Sequence, residues 1–284
     1  MEPEASTADL FNSRHDDFVR AARAGVTTVL LAPSSSNLIG GSTFAVKTAG
    51  RSRLVGPGPL KLSLSSRAFN VSRVPTSVSG ALAELRRMIA GARADRNDGS
   101  AFAKWARGET AAFVDVDDAA GLSLLARFAG EESLKCIAVH GNYAAERMDD
   151  AKSLGQPIVL GTYEFSDTLR FTRAPGLLEK AGVEVILTCE PPRFAPEMLR
   201  IGAAIAMKQG LSRRAAQASM TLAPAKLLGL EKQIGAISPG MDADFVIYSG
   251  DPLRLSSAVH EVFVGGDRVY SRDDDKSNDE MGAK

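Results

Sequence analysis

Short apolar segments alternate with amphipathic helical segments from residue 111 to residue 228. Strands are predicted at 111–116, 136–139, 158–160 and 183–187, each followed by a helical pattern. Repeated βα units of this length are typical of a parallel sheet with helices packed outside it. A chain of 284 residues is long enough for one (β/α)8 barrel, which takes roughly 250 residues. We therefore expect an α/β fold built on a TIM-type barrel.

The N-terminal part begins with an α-then-β unit. A helix is predicted from Ser13 to Arg23, and residues 26–32 form a strand so continuously apolar that both of its faces should be covered, as in a parallel sheet. Residues 33–48 are rich in Ser and Gly and follow the carboxyl end of that strand. Barrel enzymes place their working loops there, so this segment is predicted to be a loop at the site.

After Gly229 the pattern becomes alternating and rich in turn residues. Gly265, Gly266 and Asp267 are predicted to form the tight turn of a β-hairpin. The last residues are charged and poor in apolar side chains, which is typical of disorder. The predicted organisation is a barrel over residues 1–228, a small β appendage over residues 229–272 and a disordered acidic tail over residues 273–284.

The charge balance and the apolar pattern argue against several partners. Lys plus Arg and Asp plus Glu total 34 each, so no net field favours nucleic acid or an anionic membrane surface. No run of 18 apolar residues and no signal-peptide pattern is present. Cys136 and Cys189 do not resemble a disulfide framework. We expect a cytoplasmic protein whose ligand is a small molecule.

The segment TLAPAKLLGLEKQIGAISPGMDADFVIYSGDPL, residues 221–253, resembles the C-terminal signature of the amidohydrolase superfamily, most closely its imidazolonepropionase-like branch. The positions in register are Thr221, Pro224, Ala225, Leu228, Gly229, Ile234, Gly235, Ile237, Pro239, Gly240, Asp242, Ala243, Asp244, Asp251 and Pro252. Ala223 stands where the family has Asn. The resemblance implies a barrel whose last helix leads into a small β-sandwich.

The resemblance extends to residues 33–48, PSSSNLIGGSTFAVKT. Branch members often carry P-G-S-x-N-x-I-G-G-Q-x-x-x-x-K-T there, and the matching positions imply a substrate-facing loop. The predicted substrate-binding residues are Asn37, Gly40, Gly41 and Lys47. From the residues alone, an ordinary glycine turn with a solvated Lys47 is the simpler interpretation.

The family resemblance also implies one or two divalent metals, zinc above all, held by a His-x-His pair, further His ligands and a general-base Asp. This chain has three His residues and no His-x-His. His140, in IAVHGN, matches a ligand position, while Asp115 and Asp117 stand where the family has two His residues, and Glu190 replaces the Asp. We predict His140, Asp115 and Asp117 as metal ligands and Glu190 as the catalytic base. Cys189 as a nucleophile is a weaker alternative, because no base is evident beside it.

Three functional hypotheses follow from this depleted set of ligands. The first is a nominal metal-dependent hydrolase of non-peptide C–N bonds, such as cyclic amides or imidazolones, that is degenerate or weakly active as this chain. The second is a working hydrolase with a site rearranged around Asp115, Asp117, His140 and Glu190. The third is a non-catalytic binding or scaffolding subunit. Relative to the family, the first barrel strand is missing, and an open barrel exposes strand edges, so we expect a partner chain or a homo-oligomer to cover them.

Overall fold

The computed structural model describes residues 4–50, 53–69 and 74–274. Its main feature is a curled sheet whose seven strands are neighbours in chain order. The strands are β1 (Thr28–Leu31), β2 (Ile39–Lys47), β3 (Leu54–Ser63), β4 (Ala111–Asp115), β5 (Lys135–Val139), β6 (Ile158–Leu160) and β7 (Val185–Leu187). Strands β3 to β7 pair in parallel, as the βα alternation predicts.

The first two strands depart from the prediction. Strand β1 is a half-buried edge strand that pairs antiparallel with β2, and β2 pairs antiparallel with β3. The predicted parallel strand at 26–32 is therefore wrong in its pairing, and most of the predicted loop at 33–48 is strand β2. Gly41 in β2 has φ 108°, and a Cβ there would lie 2.4 Å from the carbonyl oxygen of Ala5. The glycines thus mark a bulged strand under close packing, which resembles a loop in sequence.

The described sheet is a partial barrel, which agrees with the open barrel expected from the missing first strand. Its order runs from β1 to β7 with no pairing between those two end strands in the described part of the chain. Ten helices are described, and most flank the sheet. They are α1 (Asp16–Arg23), α2 (Val78–Ala94), α3 (Ala101–Ala106), α4 (Ala119–Glu131), α5 (Met148–Ser153), α6 (Leu169–Thr172), α7 (Ala174–Lys180), α8 (Met198–Lys208), α9 (Arg213–Ala218) and α10 (Leu222–Leu227).

Several helices begin at the capping residues that the sequence indicates. Asp118 accepts a hydrogen bond from the amide of Gly121 at 2.7 Å, and Ser212 accepts one from Ala215 at 3.1 Å. Such side-chain caps satisfy amides that have no partner inside the helix. His15 caps α1 in the same way and accepts the amide of Asp17.

The core lies on both sides of the sheet. The larger cluster fills the space between the strands and the outer helices, where Trp105 is buried and donates its indole N–H to the carbonyl of Lys135 at 3.2 Å. A smaller cluster lines the concave side of the curl: Phe113, Ile137, Val139, Val159, Ile186 and Ala223. Since Ala223 belongs to α10, this helix helps to fill the interior of the partial barrel.

A separate antiparallel sheet follows the barrel, as the turn-rich pattern predicts. It contains β8 (Phe245–Tyr248), β9 (Val259–Val264) and β10 (Asp267–Ser271), in the order β10, β9, β8. The domain boundary at residue 228 stays a prediction. Of the predicted tail, residues 273 and 274 are helical, and residues 275–284 lie outside the described residues. Among the described helices, none combines the length and the apolar character that crossing a bilayer demands.

A buried ion network joins strand β2 to the segment before the small sheet. The Lys47 ammonium contacts Asp244 and lies 2.8 Å from Asp242. The second carboxylate oxygen of Asp244 accepts the amide of Gly265 at 2.8 Å, inside the hairpin turn. The Lys47 and Asp244 side chains are each 6% exposed, so both charges depend on this pairing.

Replacing Lys47 by Met tests this network. The substitution keeps much of the side-chain volume but leaves the buried Asp244 carboxylate without its cation, which typically costs about 3–5 kcal/mol. We expect a loss of that size in the free energy of unfolding, measured by urea denaturation. The matched control is Lys104→Met, at an exposed position of α3. Equal, small effects of the two substitutions would contradict the structural role of Lys47.

Candidate functional site

The site forms at the carboxyl ends of the parallel strands, with His140 at its centre. His140 follows the last residue of β5 and adopts the left-handed conformation, with φ 57°. Its carbonyl accepts the amide of Asn142 at 2.7 Å, which closes a tight turn. A Cβ at Gly141 would lie 2.6 Å from the Ile158 side chain, so the turn packs closely on β6. A non-glycine residue with positive φ is uncommon and is maintained by such surroundings.

Two carboxylates bracket the His140 ring. The Nδ1 atom contacts Asp115, the last residue of β4, and the Nε2 atom contacts Glu190, which lies three residues beyond the end of β7. Asp115 is fully buried, whereas the His140 and Glu190 side chains are 18% and 36% exposed. The site is therefore a line of three groups that leads from the sheet interior to solvent.

A buried lysine faces the same region from β3. Lys61 is opposite Phe113 in the β3–β4 register, and Ser63 is opposite Asp115. Since side chains two residues apart share one face of a strand, and Phe113 lines the concave cluster, Lys61 lies on the concave face one layer below Asp115. Lys61 is only 5% exposed. Sequence reasoning missed it, although a Lys within the apolar segment LKLSL was a usable signal.

An arginine completes the charged set. The Arg67 guanidinium lies 3.5 Å from the Oδ2 atom of Asp115 and belongs to a side chain that is 48% exposed. The Oδ2 atom is buried and accepts no hydrogen bond from the described residues. Arg67 was also missed, because it follows β3 in a short helical turn that has no distinctive sequence pattern.

The pKa values follow from competition between burial and pairing. Burial alone would raise the pKa of Asp115, but the hydrogen bond from His140 and the charges of Lys61 and His140 outweigh it and lower the pKa to about 2. Burial opposes protonation of His140, yet its two carboxylate partners raise the pKa to about 9. The hydrogen bond from His140 lowers the pKa of Glu190. At neutral pH the line is carboxylate, imidazolium, carboxylate.

The pKa of Lys61 shifts in the opposite direction from the pKa of His140. Desolvation lowers the pKa of its ammonium, partly offset by the charges of Asp115 and Glu190. Cys189 lies beside Glu190 but donates its thiol to the Ala195 carbonyl at 3.3 Å, and burial raises the pKa of the thiol. An activated nucleophile needs a lowered pKa or a nearby base, so this geometry does not support the Cys189 alternative.

The structure brings together Asp115, His140 and Glu190 from three separate strand ends. Asp117 does not join them, because its carboxylate accepts the amide of Ser66. Lys47 lies in the ion network with Asp242 and Asp244 instead of at the strand ends.

The remaining predicted substrate-binding residues lie around the start of β2. Gly40 packs on Pro33, since a Cβ at Gly40 would be 2.9 Å from the Pro33 side chain. At Gly41, Ala5 occupies the space that a side chain would need, as described above. The turn that contains Asn37 does lie near the site, because the neighbouring Ser35 hydroxyl contributes to the low pKa of Asp115. A substrate contact of Asn37 stays a prediction.

These residues are a poor fit to a divalent metal. Among the described residues, no group of three or more His, Cys, Asp or Glu side chains is arranged as a metal site. Both ring nitrogens of His140 face carboxylates, although a metal ligand needs one ring nitrogen with a free lone pair. The neighbouring Arg67 guanidinium adds positive charge where a metal would stand.

Three features define the class of α/β protein to which this chain belongs. They are parallel strands with helices outside, a polar site at the strand ends and a small second sheet. A family model described as "Amidohydrolase family" matches residues 176–270. The fold aligns with the crystal structure of an amidohydrolase from Thermotoga maritima MSB8 at a TM-score of 0.84 and 26% identity, covering 95% of this chain and 78% of that chain. These matches support the amidohydrolase superfamily for this chain and confirm the resemblance seen in the sequence.

Further relatives agree at a coarser level. Over 90 residues the chain is 34% identical to "Amidohydrolase tasK" of Hapsidospora irregularis. The aligned segment is 32% of this chain and 9% of that protein. A solved structure of another amidohydrolase, 18% identical, aligns at a TM-score of 0.50 over 75% of this chain and 54% of that chain, and shows the fold alone. The imidazolonepropionase-like branch stays a prediction.

The raised pKa of His140 predicts a specific pH dependence of stability. The folded pKa of about 9 exceeds the ordinary value of 6.5, so the stabilising contribution is complete below pH 6.5 and is lost as the pH rises through 9. We expect the wild type to lose on the order of 3 kcal/mol over that window relative to His140→Gln. Urea denaturation across the window measures the difference, and parallel curves for the two proteins would contradict the ion pairing.

Proposed function

We propose that this chain binds a small polar ligand at the carboxyl ends of β3 to β7, with a network of Asp115, His140 and Glu190 in place of a metal centre. As a single chain it is then a binding subunit, or at most a weak hydrolase. This combines the degenerate and the non-catalytic hypotheses drawn from the sequence.

One observation carries the proposal: both ring nitrogens of His140 face carboxylates. A doubly donating imidazole is a cation, and it has no lone pair to offer a metal. The local charges reinforce this. Asp115 and Glu190 supply two negative charges, and His140 and Arg67 supply two positive ones. A divalent cation would enter a site that is already neutralised, and it would first have to displace His140 from its partners.

The network can still hold a ligand and move a proton. Buried Asp115 orients His140, and the partly exposed Glu190 is the group that a ligand reaches first. A ligand with an N–H or O–H donor can replace His140 as the hydrogen-bond partner of Glu190. The Nε2 proton of the ring is then free to bond the ligand. The imidazolium then hydrogen-bonds a ligand oxygen, as a general acid does. A polar molecule with one donor and one adjacent acceptor therefore matches the site.

Metal-dependent hydrolysis of a non-peptide C–N bond is the second candidate. It is favoured by similarity to the amidohydrolase superfamily, whose members generally use divalent metals. It is also favoured by the Oδ2 atom of Asp115, which is buried and accepts no hydrogen bond from the described residues. In this case Asp115, His140 and Glu190 would hold the metal, and its contribution would be Lewis-acid chemistry at the substrate and its water. Zinc is the first candidate for such a site.

A partner for this chain, or a second copy of it, also belongs to the proposal. The end strands β1 and β7 do not pair with each other in the described part of the structure. Exposed strand edges are commonly covered in proteins, so the scaffolding hypothesis from the sequence keeps its physical motive.

Metal content decides between the two candidates. We expect elemental mass spectrometry of the purified full chain, before and after incubation with Zn²⁺, Mn²⁺ or Fe²⁺ and desalting, to find clearly less than one metal per chain. The melting temperature should not rise with these ions, because only binding to the folded state stabilises it.

Variants make this measurement specific to the site. Asp115→Ala together with His140→Ala removes the proposed centre, and Asp16→Ala together with His15→Ala removes a comparable pair from the surface helix α1. Near-stoichiometric metal in the parent chain that only the first double variant loses would overturn the proposal and establish the metal-dependent candidate.

A further inference from the structure

Two lysines of this chain are equally buried but differ in their partners. Lys47 and Lys61 are each 5% exposed. The Lys47 ammonium pairs with Asp242 and Asp244. The Lys61 ammonium, by contrast, is affected by Asp115, Glu190 and Arg67 only through longer-range charge interactions, and it makes no hydrogen bond or ion pair with the described residues. A lysine this deeply buried without such partners is unusual in a folded protein and calls for an explanation.

The position of Lys61 gives its amine a direction. Lys61 lies one layer below Ser63 and Asp115 on the concave face, as the β3–β4 register shows. A lysine side chain has four methylene groups, enough to carry the nitrogen past one layer of the sheet towards the strand ends. Its partner in the register, Phe113, belongs to the apolar cluster on the same face. The charge interactions of Lys61 with Asp115 and Glu190 place the amine at the inner end of the site.

We propose that Lys61 forms an imine with the carbonyl carbon of a small 2-oxo acid bound at this site. The inference rests on the proposed function, since it needs a site open to an organic ligand instead of a metal. Amines that attack carbonyl groups must be deprotonated, and desolvation of a lysine favours its neutral amine. The lowered pKa of Lys61 agrees with this requirement.

The reaction balances with groups that the site already holds. The Lys61 amine attacks the carbonyl carbon, a C–N bond forms, and the carbonyl oxygen becomes a hydroxyl group as a proton moves from nitrogen to oxygen. His140 then donates a proton to that hydroxyl, the C–O bond breaks, and water leaves. The nitrogen loses its remaining proton to His140, so the imidazolium is restored. The sum is amine plus carbonyl giving imine plus water, with no change of oxidation state.

The charges around the amine select the kind of carbonyl compound. Arg67 is half-exposed at the rim, and one of its nitrogens is 3.5 Å from Asp115. A guanidinium is well suited to bind a carboxylate with two parallel hydrogen bonds. A ligand whose carbonyl group is adjacent to a carboxylate can therefore reach Lys61 with its carbonyl carbon while Arg67 holds its acid. This juxtaposition describes a 2-oxo acid and disfavours a neutral ketone.

Reductive trapping of the full chain tests the inference. The probe is pyruvate with sodium cyanoborohydride at neutral pH, followed by proteolysis and peptide mass spectrometry. We expect Lys61 to be alkylated roughly tenfold faster or more than the exposed Lys104, because a positioned amine reacts at a raised effective concentration. Lys47 is the internal control: it is just as buried but fully paired, and it should stay unmodified.

Variants separate imine formation from simple burial. In Lys61→Arg a long polar side chain remains but no imine can form, so labelling of the site should disappear while the fold persists, checked by circular dichroism. In Arg67→Gln labelling by pyruvate should fall, whereas labelling by propanal, which has no carboxylate, should change little. Rates at Lys61 no higher than those at Lys104, or equal labelling of Lys47 and Lys61, would overturn the inference.

The two proposals fail in distinguishable ways. If Lys61 stays unlabelled while the chain remains free of metal, the imine is wrong and the metal-free site stands. If the chain holds stoichiometric metal that Asp115→Ala and His140→Ala remove together, the metal-free site is wrong and the imine falls with it. If Lys61 is labelled in a chain without metal, both are supported.

Discussion

The ion network through His140 is the interaction on which the site depends. His140 links Asp115, 25 residues earlier, to Glu190, 50 residues later, and so connects the ends of β4, β5 and β7. Each charge is stable there because another charge satisfies it, since unpaired ions are not tolerated at this depth. The left-handed backbone of His140 belongs to the same constraint, because it turns the ring across the strand ends. Removing one member leaves the others in an unfavourable environment.

The sequence predicted the parallel part of the fold well, because apolar strands and amphipathic helices alternate plainly after residue 111. It failed at β2, where Gly40 and Gly41 resemble a loop, although Gly41 is in fact required by the close approach of Ala5. Strand pairing was also beyond reach at β1, because an apolar segment of seven residues is compatible with either direction. Local patterns report burial and flexibility, whereas pairing depends on residues distant in sequence.

The site itself was predicted in part for the same physical reason. Strand-end positions placed Asp115, His140 and Glu190 correctly near one another, because parallel strands bring their carboxyl ends to one edge. Lys61 was missed because it lies inside a strand, where only the closed curl of the sheet shows which face is the interior. A sequence motif led us to predict Lys47 at the site, but its partners are near the other end of the chain. Charge partners over such distances leave no local trace in sequence.

The pairing of Lys47 with Asp244 also bears on how the chain reaches its folded state. The two residues are 197 positions apart, so a nascent chain exposes the lysine long before its carboxylate has been synthesised. Until then the charge of Lys47 in strand β2 has no carboxylate partner, which disfavours its burial. We therefore expect the opening strands to become fully ordered only after the segment before the small C-terminal sheet has packed against them.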